Sequence, residues 1–289
     1  MFRAFLVFSI SAVLTACAPH RSGESAEVNP CQVGDNSLTE GNADEAILAF
    51  EACLESADLE PGEEAIIHTQ LGGAYLYAER YADALQAFNL AYAIAETQGA
   101  DFDNVYIRRN RGIARLATGD PEGGLSDLEF AVSGLSDDIM TQLNLGRAYG
   151  ALGREAEAVV AFEAVTLLEP EWTGGWVNLS ASFLELGMHE QAIDRARRAV
   201  ELKPDSGFAL NMLCWSLIVD EQFETALPLC EQAVAAEPEV GAIVHSLASA
   251  LEGVGRLGEA RNAFARAYEL EPDSEPVAAD YRRTHPEIE

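Results

Sequence analysis

Basic residues are scarce in this chain. Its 289 residues include 18 Lys and Arg against 48 Asp and Glu, a formal charge of −30. A surface so acidic repels phosphate backbones, which argues against nucleic acid as a partner. It also lacks the basic patch that docks on anionic lipid. What the charge does supply is solubility for an elongated protein. Motifs that carry chemistry are missing too: there is no G-x-S-x-G, no phosphate-cradling glycine loop and no H-E-x-x-H. The five histidines (His20, His68, His189, His245 and His285) are scattered, and no C-x-x-C or His-x-x-x-His spacing offers a metal site. Asp101-Phe102-Asp103-Asn104 lacks the spacing and glycine of a calcium loop. The expectation is therefore no enzyme, no cofactor and no metal. Disorder is equally disfavoured, since 48% of the residues are hydrophobic.

The N-terminus reads as a targeting segment. Arg3 precedes an apolar run, Phe5 to Ala16, that is too short to span a membrane. The run ends in Leu14-Thr15-Ala16-Cys17, which resembles the lipobox of bacterial lipoprotein precursors. That resemblance implies removal of residues 1–16 and acylation, by palmitate-type chains, of Cys17 as the new first residue. Ala18 follows instead of Asp, which in the enteric sorting pattern implies the periplasmic face of the outer membrane. Several acyl chains anchor stably, since each buried methylene contributes roughly 0.8 kcal/mol. Residues 17–30 are mostly polar and aperiodic, and read as a flexible tether.

The rest of the chain repeats itself. Ala158, Ala192, Ala226 and Ala260 are spaced evenly, as are Pro170, Pro204, Pro238 and Pro272, and Leu145, Leu179, Leu213 and Leu247. Each series advances by about 34 residues, the period of a helix–turn–helix unit. Small residues suit the close approach of two helices: Gly146, Ser180, Cys214 and Ala248 on the first, with the alanine series facing them from the second. Proline ends each pair because it has no amide hydrogen to continue the ladder. With Leu145-Gly146, Tyr149, Ala158, Phe162 and Pro170 in place, the pattern resembles the tetratricopeptide-repeat family. The units are 139–172, 173–206, 207–240 and 241–274, with 105–138 and 65–98 before them and a degenerate first unit over 27–60. Unit 105–138 departs at Arg111, Arg115 and its missing proline, and residues 99–104 are an insertion. Residues 275–289 read as a capping helix and tail, with Glu275, Asp280, Arg282 and Arg283 on its outer face. The resemblance implies an all-α, right-handed superhelical solenoid of antiparallel pairs, self-supporting enough to be a monomer.

Repeat geometry also bears on the cysteines. Partners across an antiparallel pair have repeat positions of nearly constant sum, which matches Cys31 with Cys53 and Cys214 with Cys230. Disulfides are the expectation in an exported chain, with four buried thiols as the alternative.

By family geometry the first helices line a concave groove. Here they place Tyr77, Tyr106, Arg109, Leu143, Arg147, Val177, Leu184, Phe208, Asn211, Trp215, Ile218 and His245 on that face. Aromatic anchors and arginine suit a peptide segment or partner helix. Against this, Phe208 and Trp215 also suit packing between units, and Arg108, Arg109, Arg111 and Arg115 also suit pairing with Asp101 and Asp103. The carboxylate-clamp variety of the family is only partly matched: Arg109 and Asn144 agree, whereas Ile113, Gly174 and Asn178 do not. The resemblance implies a lipid-anchored periplasmic adaptor that binds envelope proteins or peptides. Its alternative is a structural subunit or pilotin of an outer-membrane secretion, pilus or assembly complex.

Overall fold

A computed structural model describes residues 29–56, 59–99 and 102–286. Cys17 and the apolar run before it lie outside the described residues. Among those described, there are fifteen helices and no strand, and no helix is long and apolar enough to cross a membrane. The chain forms two compact units that divide between Leu152 and Gly153.

In the first unit α1 (Pro30–Thr39) pairs with α2 (Ala43–Ser56), α3 (Pro61–Tyr77) with α4 (Tyr81–Thr97), and α5 (Val105–Ala117) with α6 (Pro121–Val132). The helix α7 (Ile139–Ala151) packs on α6 and ends the unit. The second unit opens with α8 (Glu155–Leu168), packed on α9 (Thr173–Glu185). Then α9 pairs with α10 (His189–Leu202), α11 (Gly207–Val219) with α12 (Phe223–Ala236), and α13 (Gly241–Gly253) with α14 (Leu257–Leu270). A last helix, α15 (Glu275–Thr284), packs mainly on α14.

The ends of these helices are written locally. Side-chain oxygens of Asn29, Asn104, Asp120, Asp138 and Ser206 accept from backbone N–H groups of the first turns of α1, α5, α6, α7 and α11. Pro170, Pro204, Pro238 and Pro272 each fall just past the last residue of α8, α10, α12 or α14. Gly119, Gly153, Gly187 and Gly255 follow first helices with positive φ, the left-handed stop that favours glycine. Glu79 and Glu221 adopt the same conformation, with φ of 60 and 57°.

Within each pair the helices run antiparallel. A Cβ on Gly112 would lie 2.9 Å from Leu128, and one on Gly124 would lie 2.8 Å from Leu116. The small residues of first helices are expected to face the alanine series. Ser180 confirms that register by donating its hydroxyl hydrogen to the Ala192 carbonyl at 2.8 Å. The larger contact comes four residues later. A Cβ on Gly34 would lie 2.5 Å from the Phe50 ring, and one on Gly72 would lie 2.7 Å from the Phe88 ring. Phe50, Phe88, Leu128 and Phe264 are all fully buried. The pairs α1/α2, α3/α4 and α5/α6 are thus each closed by a bulky side chain seated on a glycine, whereas α9/α10 carries Ser180 and Ala196 at that register. At the same register, 16 residues apart, α11 and α12 carry the Cys214–Cys230 disulfide instead. The first pair holds a second disulfide, Cys31–Cys53.

Phe88→Ala is expected to lower the free energy of unfolding by about 3–5 kcal/mol, because the helices meeting at Gly72 cannot collapse into the space. Glu221→Gly is expected to raise it by about 1 kcal/mol by releasing a left-handed non-glycine residue. Urea unfolding curves measure both, and an unchanged midpoint for Phe88→Ala would contradict this account of pair closure.

Candidate functional site

The first unit carries its charge inside. In α5, Arg111 and Arg115 stand at repeat positions held elsewhere by Leu71 and Tyr75 or Leu145 and Tyr149. Apolar residues would normally pack there. What compensates is Asp127 of α6, fully buried where other second helices carry Ala87 or Ala161. Arg111 donates to both Asp127 oxygens at 2.7 Å, Arg108 to Oδ1 at 2.8 Å and Arg115 to Oδ2 at 2.9 Å. Arg108 also grips Asp103 through two nitrogens, at 2.8 and 2.9 Å. That hydrogen bond holds the Asp103 carboxyl below its ordinary value and the Arg108 guanidinium above its own. Tyr92 of α4 lies under Arg111, with 3.9 Å from ring centre to guanidinium carbon, and burial pushes its phenol up to about 12. Phe102 packs edge-on against Tyr92 at 5.6 Å, and Asn104 caps α5. The described part of the inserted loop therefore serves the arginines. Asp101 lies outside the described residues.

Arg109 was expected in the groove. The structure buries it to 2% exposure, where Nε donates to Asn110 and one terminal nitrogen approaches Asp138 at 3.4 Å. Asp138 also caps α7 through Thr141, so Arg109 ties α5 to the start of α7. It is a structural cation and not an open ligand-binding group. Leu143 is likewise buried. Tyr77 and Tyr106 are half-buried, and Arg147 is exposed.

In the second unit the groove residues divide. Phe208 near the start of α11 is 56% exposed. Asn211, Trp215 and Ile218 follow at helical spacing and are half-buried, as are Val177 and Leu184 of α9. The Asn211 Oδ1 is buried without a hydrogen-bond donor. His245, by contrast, is closed off. It is buried, its Nε2 lies 2.8 Å from Asp280 of α15, and its ring meets Phe264 edge-on at 5.5 Å. The Trp215 ring stands 6.2 Å away, tilted against it. Arg283 holds Glu252 of α13 through two contacts of 2.7 and 2.8 Å. Asp280 and Arg283 thus point back into the unit, correcting the expectation that they face outward. Glu275 and Arg282 do face solvent and pair with each other. The last helix is docked by charge on one side and solvated on the other. Among the described residues no group of three His, Cys, Asp or Glu side chains converges as a metal site.

Sequence reasoning missed Asp127, Asp138 and the inward side of α15. The signal for Asp127 was available: an aspartate among alanines at one repeat position, in the same unit where arginines replace apolar residues.

Models of the tetratricopeptide repeat match residues 34–100, 141–171 and 212–280, together more than half of the chain. The chain belongs to the tetratricopeptide-repeat family. No match was found among curated proteins. Among solved structures, the chain is similar to a tetratricopeptide repeat protein from Parabacteroides merdae, at 12% identity and a TM-score of 0.68, covering 88% of this chain and 97% of that one. It is similar to TTC0263 of Thermus thermophilus at 22% identity and a TM-score of 0.55, over 63% of this chain and 98% of that one. It is also similar to YrrB, described as a tetratricopeptide-repeat protein with an unusual peptide-binding site, at 20% identity and a TM-score of 0.53, over 63% and 88%. These likenesses establish the fold, which in this family is a protein-interaction scaffold and generally not a catalyst.

Asp127→Asn is expected to destabilise the protein by about 3–5 kcal/mol, since it leaves the half-buried and buried arginines without their shared counter-charge. Thermal unfolding followed by circular dichroism measures the loss. A melting temperature equal to that of the unaltered protein would show that the arginines find other partners.

Proposed function

We propose that the protein is a lipid-anchored periplasmic adaptor that binds envelope proteins or peptides through the open side of its first helices. The observation that carries the binding role is α11, where Phe208 is more than half exposed and Asn211 and Trp215 continue the stripe. An aromatic held out in water on an otherwise closed helix pair is an anchor in search of a pocket or an apolar side chain. The neighbour YrrB, described as having an unusual peptide-binding site, supports a peptide as the ligand class. The anchor rests on Leu14-Thr15-Ala16-Cys17, and the exported compartment agrees with the two disulfides. The role proposed is binding, in keeping with a family whose members are generally scaffolds.

A second reading has its own observation. On α8, Val160 and Leu167 are 67% and 82% exposed, two turns apart on one face. That stripe suits lateral packing in a fixed assembly, such as a subunit or pilotin of an outer-membrane secretion or pilus complex.

Capture from envelope extract separates the two. The purified protein on a resin is expected to retain a discrete partner that Phe208→Ala with Trp215→Ala loses and Val160→Ser with Leu167→Ser keeps. The reverse pattern supports the lateral subunit, and loss by neither overturns both surfaces. Independently, cells fed labelled palmitate are expected to label the unaltered protein and not Cys17→Ser. Equal labelling would remove the anchor.

A further inference from the structure

We propose that the α1–α3 face of the first unit seats a basic segment of a protein partner, with one ammonium or guanidinium group bound between Asp35 and Gln70. This deepens the adaptor reading and rests on it. Gln70 is 5% exposed, and its Nε2 donates to Asp35 Oδ1. Its Oε1 is buried and meets no donor. Reversing the amide would turn an oxygen toward the carboxylate, so the orientation is fixed by Asp35. Both atoms of the amide hang from one carbon, and the unmet oxygen therefore lies beside the carboxylate. Two acceptors side by side call for a donor that is also positive. Asp35 lies at the surface with its carboxyl partly covered, and pairs with no cation among the described residues. The protein around it raises its carboxyl above the ordinary value by desolvation. A bound cation reverses that effect.

The surroundings extend the same preference. From Asn29 to Gly99 the sequence holds a single Lys or Arg, Arg80, engaged by Asp83 at 2.7 Å, and His68, which lies 3.9 Å from Glu64. Tyr77 lies on the same face of α3 as Gln70, two turns on and roughly 10 Å along the axis. It lines an open cleft of about 660 Å³ with Asp44, Glu45 and Glu79. None of these three carboxylates meets a cation among the described residues. The helix dipole accounts for Asp44 and Glu45 in the first turn of α2. It does not account for Glu79, which holds a backbone conformation that glycine takes in neighbouring turns. A spacing of roughly 10 Å matches basic residues three apart in an extended segment, at about 3.3 Å per residue.

The probe is a fluorescein-labelled peptide of four Lys-Ala-Ala repeats, read by anisotropy with the purified protein. Asp35→Asn is near-isosteric and at the surface, and circular dichroism checks its fold. It is expected to weaken binding by about tenfold, while Glu224→Gln, an equal charge change on exposed α12, alters it less than about twofold. Equal losses from both variants would reduce the effect to diffuse attraction by an acidic protein and overturn the proposal, as would no binding of the peptide. Tighter peptide binding by Arg21→Ala would assign the site to the chain's own N-terminal segment and overturn the partner assignment. In the capture experiment, a partner lost with the Phe208 and Trp215 changes but kept by Asp35→Asn would sink this subsite and leave the adaptor standing.

Discussion

Close approach of two helices at one small residue governs this protein. Gly34, Gly72 and Gly112 leave room for Phe50, Phe88 and Leu128, and a Cβ at any of them would meet the opposing side chain at under 3 Å. Because interiors are packed to crystal-like density, that fit fixes the register of those three pairs. Register then decides which residues of a first helix turn inward and which stay open. The Cys214–Cys230 bridge fits the same logic, since two small thiols joined across the contact occupy the volume that glycine and phenylalanine share elsewhere. It also restricts the unfolded chain, a contribution of roughly 3 kcal/mol for a loop of this size.

One repeat obeys the geometry with different chemistry. In α5 and α6 the apolar packing residues have become arginines, and an alanine position has become Asp127. A buried carboxylate serving three guanidinium groups adds little net stability over apolar packing, but losing one partner is costly. The exchange makes this repeat specific rather than adaptable: only this combination of residues closes it. The described part of the insertion before α5 belongs to the same arrangement, with Asp103 holding Arg108 and Phe102 covering Tyr92.

Much of the fold was legible because its signals are periodic. Leucine, alanine and proline recur at one spacing, and each has a local physical reason. The cysteine pairs were readable from the same register. The groove was less so. Periodicity places Arg109 and His245 on the inner side of first helices, but it cannot say what will cover them. Asp138 lies 29 residues from Arg109 and Asp280 lies 35 from His245, and each engages a residue of a neighbouring first helix. Among the described residues, no ring contact or charge closes Phe208 in the same way, and it stays more than half exposed. The distinction between an anchor and a structural residue thus lay in partners one repeat away.

Among the described residues Phe208 is the most exposed phenylalanine, and the proposed function turns on whether the α11 stripe meets a partner. The direct measurement is photo-crosslinking in the cells that make the protein, with benzoylphenylalanine placed at Phe208 in one version and at Leu167 in another. The account predicts a discrete adduct of higher mass from position 208 and none from 167. Adducts from 167 alone would contradict it and move the working surface to α8.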